Sequence, residues 1–326
     1  MTGQGESTAE QIRQDSLEAE ARIREHIRQT PLDPSPWLSR EGSCEVYLKL
    51  ENLQITGSFK LRGASNRLLT LSPDEVRAGI VTASTGNHGS AVAYLLRALG
   101  WPGTVYVPRT ISAAKLGALE RLDATIEIYG EDGVEAENRA REVAEENGQF
   151  YVSPYNDRQI VAGQGTVGLE IERQLEGVDA VIVPVGGGGL ISGIAAVLKA
   201  ANPEIEIIGC QPENSAVMYH SLQAGELLEL ESDPTLADGA AGGIERAAIT
   251  FPICQQYVDD FVLVSEEEIR QGICHVLEKH HLLIEGAAAL SVAGFLQNPG
   301  RFRDKRAVLL ISGAKISLET LRSVLG

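Results

Sequence analysis

The chain is short of positive charge. Its 28 Lys and Arg face 45 Asp and Glu, a formal net charge of −17 over 326 residues. A partner bound by neutralising phosphates over a broad face needs a basic surface, so the balance argues against nucleic acid and anionic membrane; it speaks mainly to solubility and self-repulsion. Cysteine is scarce as well. Cys44, Cys210, Cys254 and Cys274 lie far apart with no C-x-x-C pair, which signals neither a zinc site nor a disulfide framework and reads as reduced core residues. No apolar run approaches the roughly 18 residues of a membrane span. Residues 1–30 are polar and Glu/Arg/Gln-rich, without the apolar stretch a signal peptide needs. The expected location is the cytoplasm, with no membrane partner.

What is present is enough apolar material, 43% of the residues with 22% charged, to bury two domains without staples. Residues 16–29, with Leu17, Ala21 and Ile23 among charges, read as an amphipathic helix closed by Thr30-Pro31, because the residue before proline avoids the α region. Residues 45–51 alternate polar and apolar, the period of a half-buried strand. From residue 80 one unit recurs: a short apolar run, a turn of small residues, then an apolar-periodic helix. Strands are expected at 79–83, 103–107, 125–129, 179–185, 206–210 and 307–311, and helices at 90–99, 113–122, 133–146 and 190–201. Strands alternating with such helices imply parallel sheets with crossovers. The expected class is α/β, two αβ units sharing a cleft, with residues 225–234 a surface loop.

Three local signals carry chemistry. The first is Gly186-Gly-Gly-Gly189, between a buried apolar run and helical text. Backbone N–H groups freed of side chains, at a helix N-terminus with its partial positive charge, suit a phosphate; a plain turn would need only one or two glycines. Spacing excludes the dinucleotide fingerprint, since Gly186 and Gly188 are followed by Ile191, and Gly187 and Gly189 by Ser192. No Gly-Lys-[Ser/Thr] follows either. One phosphate on a small cofactor fits better.

The second signal is Ser84-Thr-Gly-Asn-His-Gly-Ser90, hydroxyls, an amide and free N–H groups at a helix start, which suits a carboxylate. The third is Thr56-Gly-Ser-Phe-Lys-Leu-Arg-Gly63. Only seven of the 28 basic residues are lysine, and Lys60 alone follows an aromatic residue in a turn of small residues. A desolvated amine there loses basicity and can form Schiff bases.

Taken in order, Ser58-Phe-Lys-Leu-Arg-Gly63, Ser84-Thr-Gly-Asn-His88 and the tetraglycine resemble the fold-type II pyridoxal-phosphate enzymes, in particular the threonine/serine dehydratase and serine racemase branch. The likeness spans nearly the whole chain and extends to Thr30-Pro-Leu32, Leu48-Lys-Leu-Glu-Asn52, Ala162-Gly-Gln-Gly-Thr166, Leu236-Ala-Asp-Gly239, Val258-Asp-Asp260, Val264-Ser-Glu-Glu-Glu-Ile269 and Ile311-Ser-Gly313.

The resemblance implies two open, twisted, mainly parallel αβα domains with the cofactor cleft between them: residues 1–52 and 153–326 as a large cofactor-binding domain, 53–152 as a small mobile domain that takes the substrate carboxylate. It implies pyridoxal 5'-phosphate as cofactor, held covalently by Lys60, with Phe59 against its ring and Gly186, Gly187, Gly188, Gly189 and Leu190 on its phosphate. Asn87 would touch the phenolic oxygen, Ser84, Thr85 and His88 would gather the substrate carboxylate, and Ser312 would face the ring nitrogen. A neutral hydroxyl there cannot hold that nitrogen protonated, which favours elimination over transamination.

The implied reaction is dehydration and deamination of a small β-hydroxy amino acid, L-threonine or L-serine, with Lys60 as general base, in a homodimer. Alternatives are a dehydratase of a hydroxyectoine-derived amino acid, resembled by Ser84-Thr85-Gly86, Met218-Tyr-His-Ser-Leu222 and Ala241-Gly-Gly-Ile244, a serine racemase, and a hydroxyaspartate ammonia-lyase. A non-catalytic sensor of a phosphorylated small molecule is the rival from another class.

Some positions depart from the pattern. Thr85 stands where the racemase has its serine; the resemblance implies a catalytic hydroxyl there that can still shuttle a proton, in a space narrowed by the extra methyl. Gln211-Pro212 and Val217 replace carboxylates of a structural-cation site and leave only Glu213, so no metal is expected. Lys315, in Ser312-Gly-Ala-Lys315, reads as exposed, and Glu285 as a buried carboxylate near the cofactor ring. His280 and His281 point to different sides of a helix, and residues 135–146 present a solvated face. After Ile311-Ser-Gly there is no room for a C-terminal regulatory domain, so feedback by isoleucine is not expected.

Overall fold

The computed structural model describes residues 8–326. It contains two sheets. The larger is built from β1 (Leu32–Pro34), β2 (Glu45–Lys49), β7 (Ala180–Pro184), β8 (Glu206–Pro212), β9 (Asp260–Val264) and β10 (Arg306–Leu310), and the smaller from β3 (Ile80–Ala83), β4 (Gly103–Val107), β5 (Thr125–Ile128) and β6 (Phe150–Tyr151). Their orders are β1-β2-β10-β7-β8-β9 and β5-β4-β3-β6. Only β1 runs antiparallel, to β2; every other pairing is parallel.

Chain connectivity explains both orders. Each strand followed by a helix must cross over to lie parallel to the next, and the interior strand β7, Ala-Val-Ile-Val-Pro, is buried at all five positions, as a strand covered on both faces must be. Apolar layers fill both faces of the larger sheet. Separate clusters cover the faces of the smaller one.

The last strand, β10, inserts between β2 and β7, so β7 runs to β8 on one side and meets a strand from the far end of the chain on the other. In the smaller sheet β3 likewise pairs with β4 and with the later β6. Each is a point where strand order reverses, the place at which open parallel sheets form a crevice beyond their carboxyl ends. Gly186 follows β7, Ser312 follows β10, Ser84 follows β3 and Tyr155 follows β6. Topology alone converges these segments.

The helix Arg158–Gln174 ties the parts together. Its three glycines lower its intrinsic propensity, and no sequence pattern announces it, yet it is buried continuously from Ile160 to Ile171. A Cβ on Gly163 would lie 2.6 Å from the Gly63 Cα, and one on Gly193 would lie 2.5 Å from the Gly165 nitrogen. Backbones therefore meet backbones here, and burial outweighs propensity. The motifs Arg62-Gly63 and Ala162-Gly-Gln-Gly-Thr166 are two sides of one helix crossing.

The first described helix, Thr8–Ile23, differs from its expected span and face. Ala9, Ile12, Ser16, Ala19 and Ile23 are the buried residues, whereas Leu17 is 39% exposed. Close approach decides this: the Ser16 hydroxyl donates to the Ile12 carbonyl at 2.7 Å and packs onto Gly165, so the seam is made of small residues rather than the larger Leu17. The helix Gly133–Asn147 is solvated but for the stripe Ala136, Ala140 and Ala144. All four cysteines are free, Cys210 and Cys254 buried and the other two partly so. Among the described residues no helix is long and apolar enough to cross a membrane.

Candidate active site

Two helices begin on glycine with no side chain capping them: Asn87–Leu99 after Gly86, and Gly189–Ala201 after Gly188. The first N–H groups of a helix have no partner within it, so both starts are open to an anion. At the second, Gly188 has φ +84°, a left-handed conformation that favours glycine, and a Cβ on Gly187 would sit 2.5 Å from the Tyr155 ring. The turn is shaped by the ring packed against it. Thr250 Oγ1 donates to the Gly187 carbonyl at 2.7 Å, holding the peptide so that its neighbouring N–H groups stay free.

Lys60 is the first residue of the helix Lys60–Leu69. Just before it, Ser58 and Gly313 form a bridge, the Phe59 N–H donates to the Ser312 carbonyl at 3.1 Å and the Ala314 N–H to Gly57 at 2.9 Å. The loop after β10 thus fixes the approach to Lys60. Its Nζ donates to the Pro154 carbonyl at 2.9 Å and lies 5.2 Å from the Phe59 ring centroid. Desolvation by the surrounding protein lowers this amine to about 8, with the Glu285 charge opposing the shift. Near neutrality it holds a usable fraction of free amine, which both imine formation and proton abstraction require.

One cavity is lined by Phe59, Lys60, Asn87, Gly186, Gly187, Gly188, Gly189, Leu190 and Ser312. All nine were singled out in the sequence. Ser84 and Thr85 stand on the turn before Asn87, outside this lining, with Ser84 Oγ accepting from the Gly86 N–H at 3.2 Å. His88 is turned away. Its Nε2 meets the Val152 carbonyl at 3.1 Å, and burial, with Lys60 nearby, depresses its imidazole to about 3. As a neutral ring it can offer an anion only its backbone N–H.

The lining also includes Tyr155, Pro184, Gly239, Ala240, Glu285 and Ala287. Tyr155 carries no motif of its own; its signal is the missing side chain at Gly187, which leaves space for a ring. Gly239 belongs to the Leu236-Ala-Asp-Gly239 motif. Glu285 precedes the helix Gly286–Gln297 and is 4% exposed. Burial raises its carboxyl to about 7, against the Asn87 hydrogen bond and Lys315. Lys315 is not the free surface lysine its sequence context suggests: it is half-buried, its backbone N–H donates to Glu285 Oε2 at 3.1 Å, and desolvation lowers its amine to about 8.

Behind the cleft the helix of Lys60 is clamped by charge. The fully buried Arg62 guanidinium grips Glu51 through Nε and Nη2, each at 2.8 Å, and Glu170 through Nη1 and Nη2, again at 2.8 Å. Lys49 Nζ adds bonds to Glu170 at 2.6 Å, Thr30 carbonyl at 2.9 Å and Gln174 at 2.8 Å. This explains why Thr30-Pro, Leu48-Lys-Leu-Glu and Arg62 stand out in the sequence. Their chemistry is inside the fold.

Where a structural cation was not expected, Gln211 Oε1 accepts from the Tyr219 N–H at 2.8 Å, and no group of three or more His, Cys, Asp or Glu among the described residues could hold a metal. His280 Nε2 meets Ser35 Oγ at 3.0 Å.

A cleft at the carboxyl ends of two parallel sheets, an uncapped glycine turn on one wall and a desolvated amine on the other, define an enzyme that holds a phosphorylated carbonyl cofactor. Residues 23–313 match the family described as pyridoxal-phosphate dependent enzyme, and the chain belongs to it. It is 40% identical over 313 residues to an L-threonine ammonia-lyase of Thermotoga maritima, covering 96% of this chain and 77% of that one. The processed form of threonine deaminase isoform 2 from Solanum lycopersicum superposes with a TM-score of 0.93 at 34% identity, covering 98% of this chain and 89% of that one. A maize serine racemase gives 0.89 at 31% identity, with 96% of each covered. The protein is a pyridoxal-phosphate-dependent fold-type II enzyme. The cavity fits that cofactor: the wall at Gly186 to Gly189 has no room for side chains, no side chain caps the helix behind it, and the buried Asn87 Oδ1 has no protein partner.

Proposed function

We propose that the protein eliminates water and then ammonia from a small β-hydroxy amino acid, L-threonine or L-serine, giving a 2-oxo acid. The observation that carries this is the Lys60 amine, lowered to about 8 in a cavity it shares with the glycine turn and Ser312. The names of the threonine ammonia-lyase and threonine deaminase relatives support the substrate class.

The bound cofactor supplies an aldehyde that condenses with amines and a conjugated ring that draws electrons from the substrate Cα. Lys60 would hold it and, with its amine free when substrate is bound, is placed by its own tether to take the α-proton. Gly186 to Gly189 and Leu190 would hold the phosphate through backbone N–H groups, Phe59 would lie against the ring, and Asn87 would meet the phenolic oxygen. Ser312, with a neutral hydroxyl and its own carbonyl engaged by Phe59, would face the ring nitrogen. Ser84, Thr85 and the His88 N–H collect the substrate carboxylate at the open start of their helix. The α-proton taken by Lys60 balances the departing β-hydroxide as water, and hydrolysis of the released dehydrated amino acid takes up one water to give the 2-oxo acid and ammonia.

Residues 1–52 with 153–326, and residues 53–152, act on this reading as cofactor and substrate domains of a cytoplasmic homodimer. Assay of 2-oxo acid and D-enantiomer from L-threonine, L-serine, hydroxyaspartate and a hydroxylated diaminobutyrate tests the reaction, and sedimentation tests the dimer. A 2-oxo acid from threonine or serine is the expected product; none from any of the four rejects the assignment.

A further inference from the structure

The contact between Asn87 and Glu285 has an asymmetry that the proposed reaction leaves unused. Asn87 Nδ2 donates to both carboxylate oxygens, at 2.8 Å to Oε1 and 2.9 Å to Oε2. The other half of the amide, Oδ1, is buried without a partner. A buried acceptor left unpaired costs on the order of 1–3 kcal/mol, and both residues line the cofactor cavity.

The carboxylate is also built in. A Cβ on Gly313 would lie 2.7 Å from the Glu285 Cδ, and one on Gly239 would lie 3.5 Å from Oε1, so these glycines make its room. Every charge facing it can be named: Lys315 from the loop after β10, Asp238 from the short helical turn Asp238–Ala240, itself paired with Lys115 at 2.9 Å, and Lys60 from its own helix.

We propose that Glu285 and Asn87 form a coupled proton and amide switch: when Glu285 gains a proton it donates to Asn87 Oδ1, the amide turns over, and Nδ2 is released to the phenolic oxygen of the cofactor. The inference rests on the reading that Asn87 meets that oxygen. In the ionised form both carboxylate oxygens take the Asn87 amide nitrogen, and the arm left over is the acceptor Oδ1, which has no donor to meet and would oppose another acceptor. In the protonated form one carboxyl oxygen still accepts from the Lys315 N–H while the hydroxyl satisfies Oδ1, so the Asn87 acceptor no longer stays unpaired. A carboxyl already raised to about 7 gains that proton at little cost. Glu285 is then a positioning residue, acting through Asn87.

Cofactor uptake by the cofactor-free protein at about pH 8, followed by calorimetry in two buffers of different ionisation heat, reads the proton directly. The wild type is expected to take up about one proton more per site than Glu285→Gln, whose amide imitates the protonated acid and whose affinity then loses the extra pH dependence. A second readout needs no variant: an infrared difference spectrum of wild type with and without cofactor gains a protonated-carboxyl C=O band. Equal proton counts in two cofactor-binding proteins, or no such band, overturn the switch. A wild type that takes up no cofactor overturns instead the reading on which it rests.

Discussion

Two clusters of buried charge lie close together in this protein, and they are handled in opposite ways. Behind the helix of Lys60, Arg62, Lys49, Glu51 and Glu170 balance two cations with two anions, and two bidentate grips satisfy the guanidinium. In the cleft, Lys60 and Glu285 share a cavity with no ion pair between them within reach, and each is drawn toward its neutral form, to about 8 and about 7. Glu170 is as buried as Glu285, yet the adjacent Arg62 and Lys49 hold its carboxyl below the ordinary range despite desolvation. Partners rather than depth decide whether a buried charge is inert or reactive. The sealed cluster holds the first turn of a helix still; the open one keeps protons within exchange at that turn.

The largest expected effects come from destroying either cluster. Lys60→Ala should lower turnover on the order of 10⁴-fold with the melting temperature of the cofactor-free protein little changed or raised, because a desolvated amine with no ion-pair partner is removed; retained turnover breaks the assignment. Arg62→Met should do the reverse, costing on the order of 3–5 kcal/mol in urea unfolding since Glu51 loses its cation and Glu170 loses one of two. Adding Glu51→Gln, which leaves Lys49 paired with Glu170, should restore part of that. If it restores none, packing rather than charge is what Arg62 supplies.

Smaller effects sharpen the contrast through pH. Lys60 has a folded value below its unfolded 10.5, so the unfolded chain binds more protons between about 8 and 10.5 and stability rises with pH across that window. Glu285 has a folded value above 4.5, so the native state binds more protons between 4.5 and about 7 and stability falls as pH rises there. Each slope, on the order of 1–3 kcal/mol over its window after allowance for water in the open cleft, should vanish in Lys60→Met and in Glu285→Gln respectively, as urea unfolding of the cofactor-free protein would reveal. Least of all should be Lys115→Ala, which removes an exposed pair with Asp238 at 2.9 Å and should shift stability by no more than about 1 kcal/mol. A loss comparable to Arg62→Met would show that the contact works as part of a larger network.

Much of the site was legible because its chemistry depends on local order along the chain. Four glycines between a buried strand and a helix, or a lysine at a helix start after an aromatic residue, carry their geometry with them, and all nine residues read as contacting the cofactor line one cavity. His88 and Lys315 show the limit. Their neighbours in sequence suggest an anion ligand and a surface lysine; what fixes them is the Val152 carbonyl and the Glu285 carboxylate, each from a distant segment. Periodicity does not announce the helix Arg158–Gln174 and puts the first helix on another face for a related reason: glycine and serine seams stabilise by backbone approach, which hydropathy does not register.

The amino-acid order by itself determined an α/β chain, its alternation of strands and helices, and the residue types of an anion turn and an imine-forming amine, since these follow from periodicity and from steric freedom within a few residues. Only the tertiary structure decided that β10 inserts beside β7, that Arg62 is neutralised while Lys60 is left without an ion-pair partner, and that Asn87 is held by Glu285. Those outcomes depend on which distant groups share a low-dielectric space.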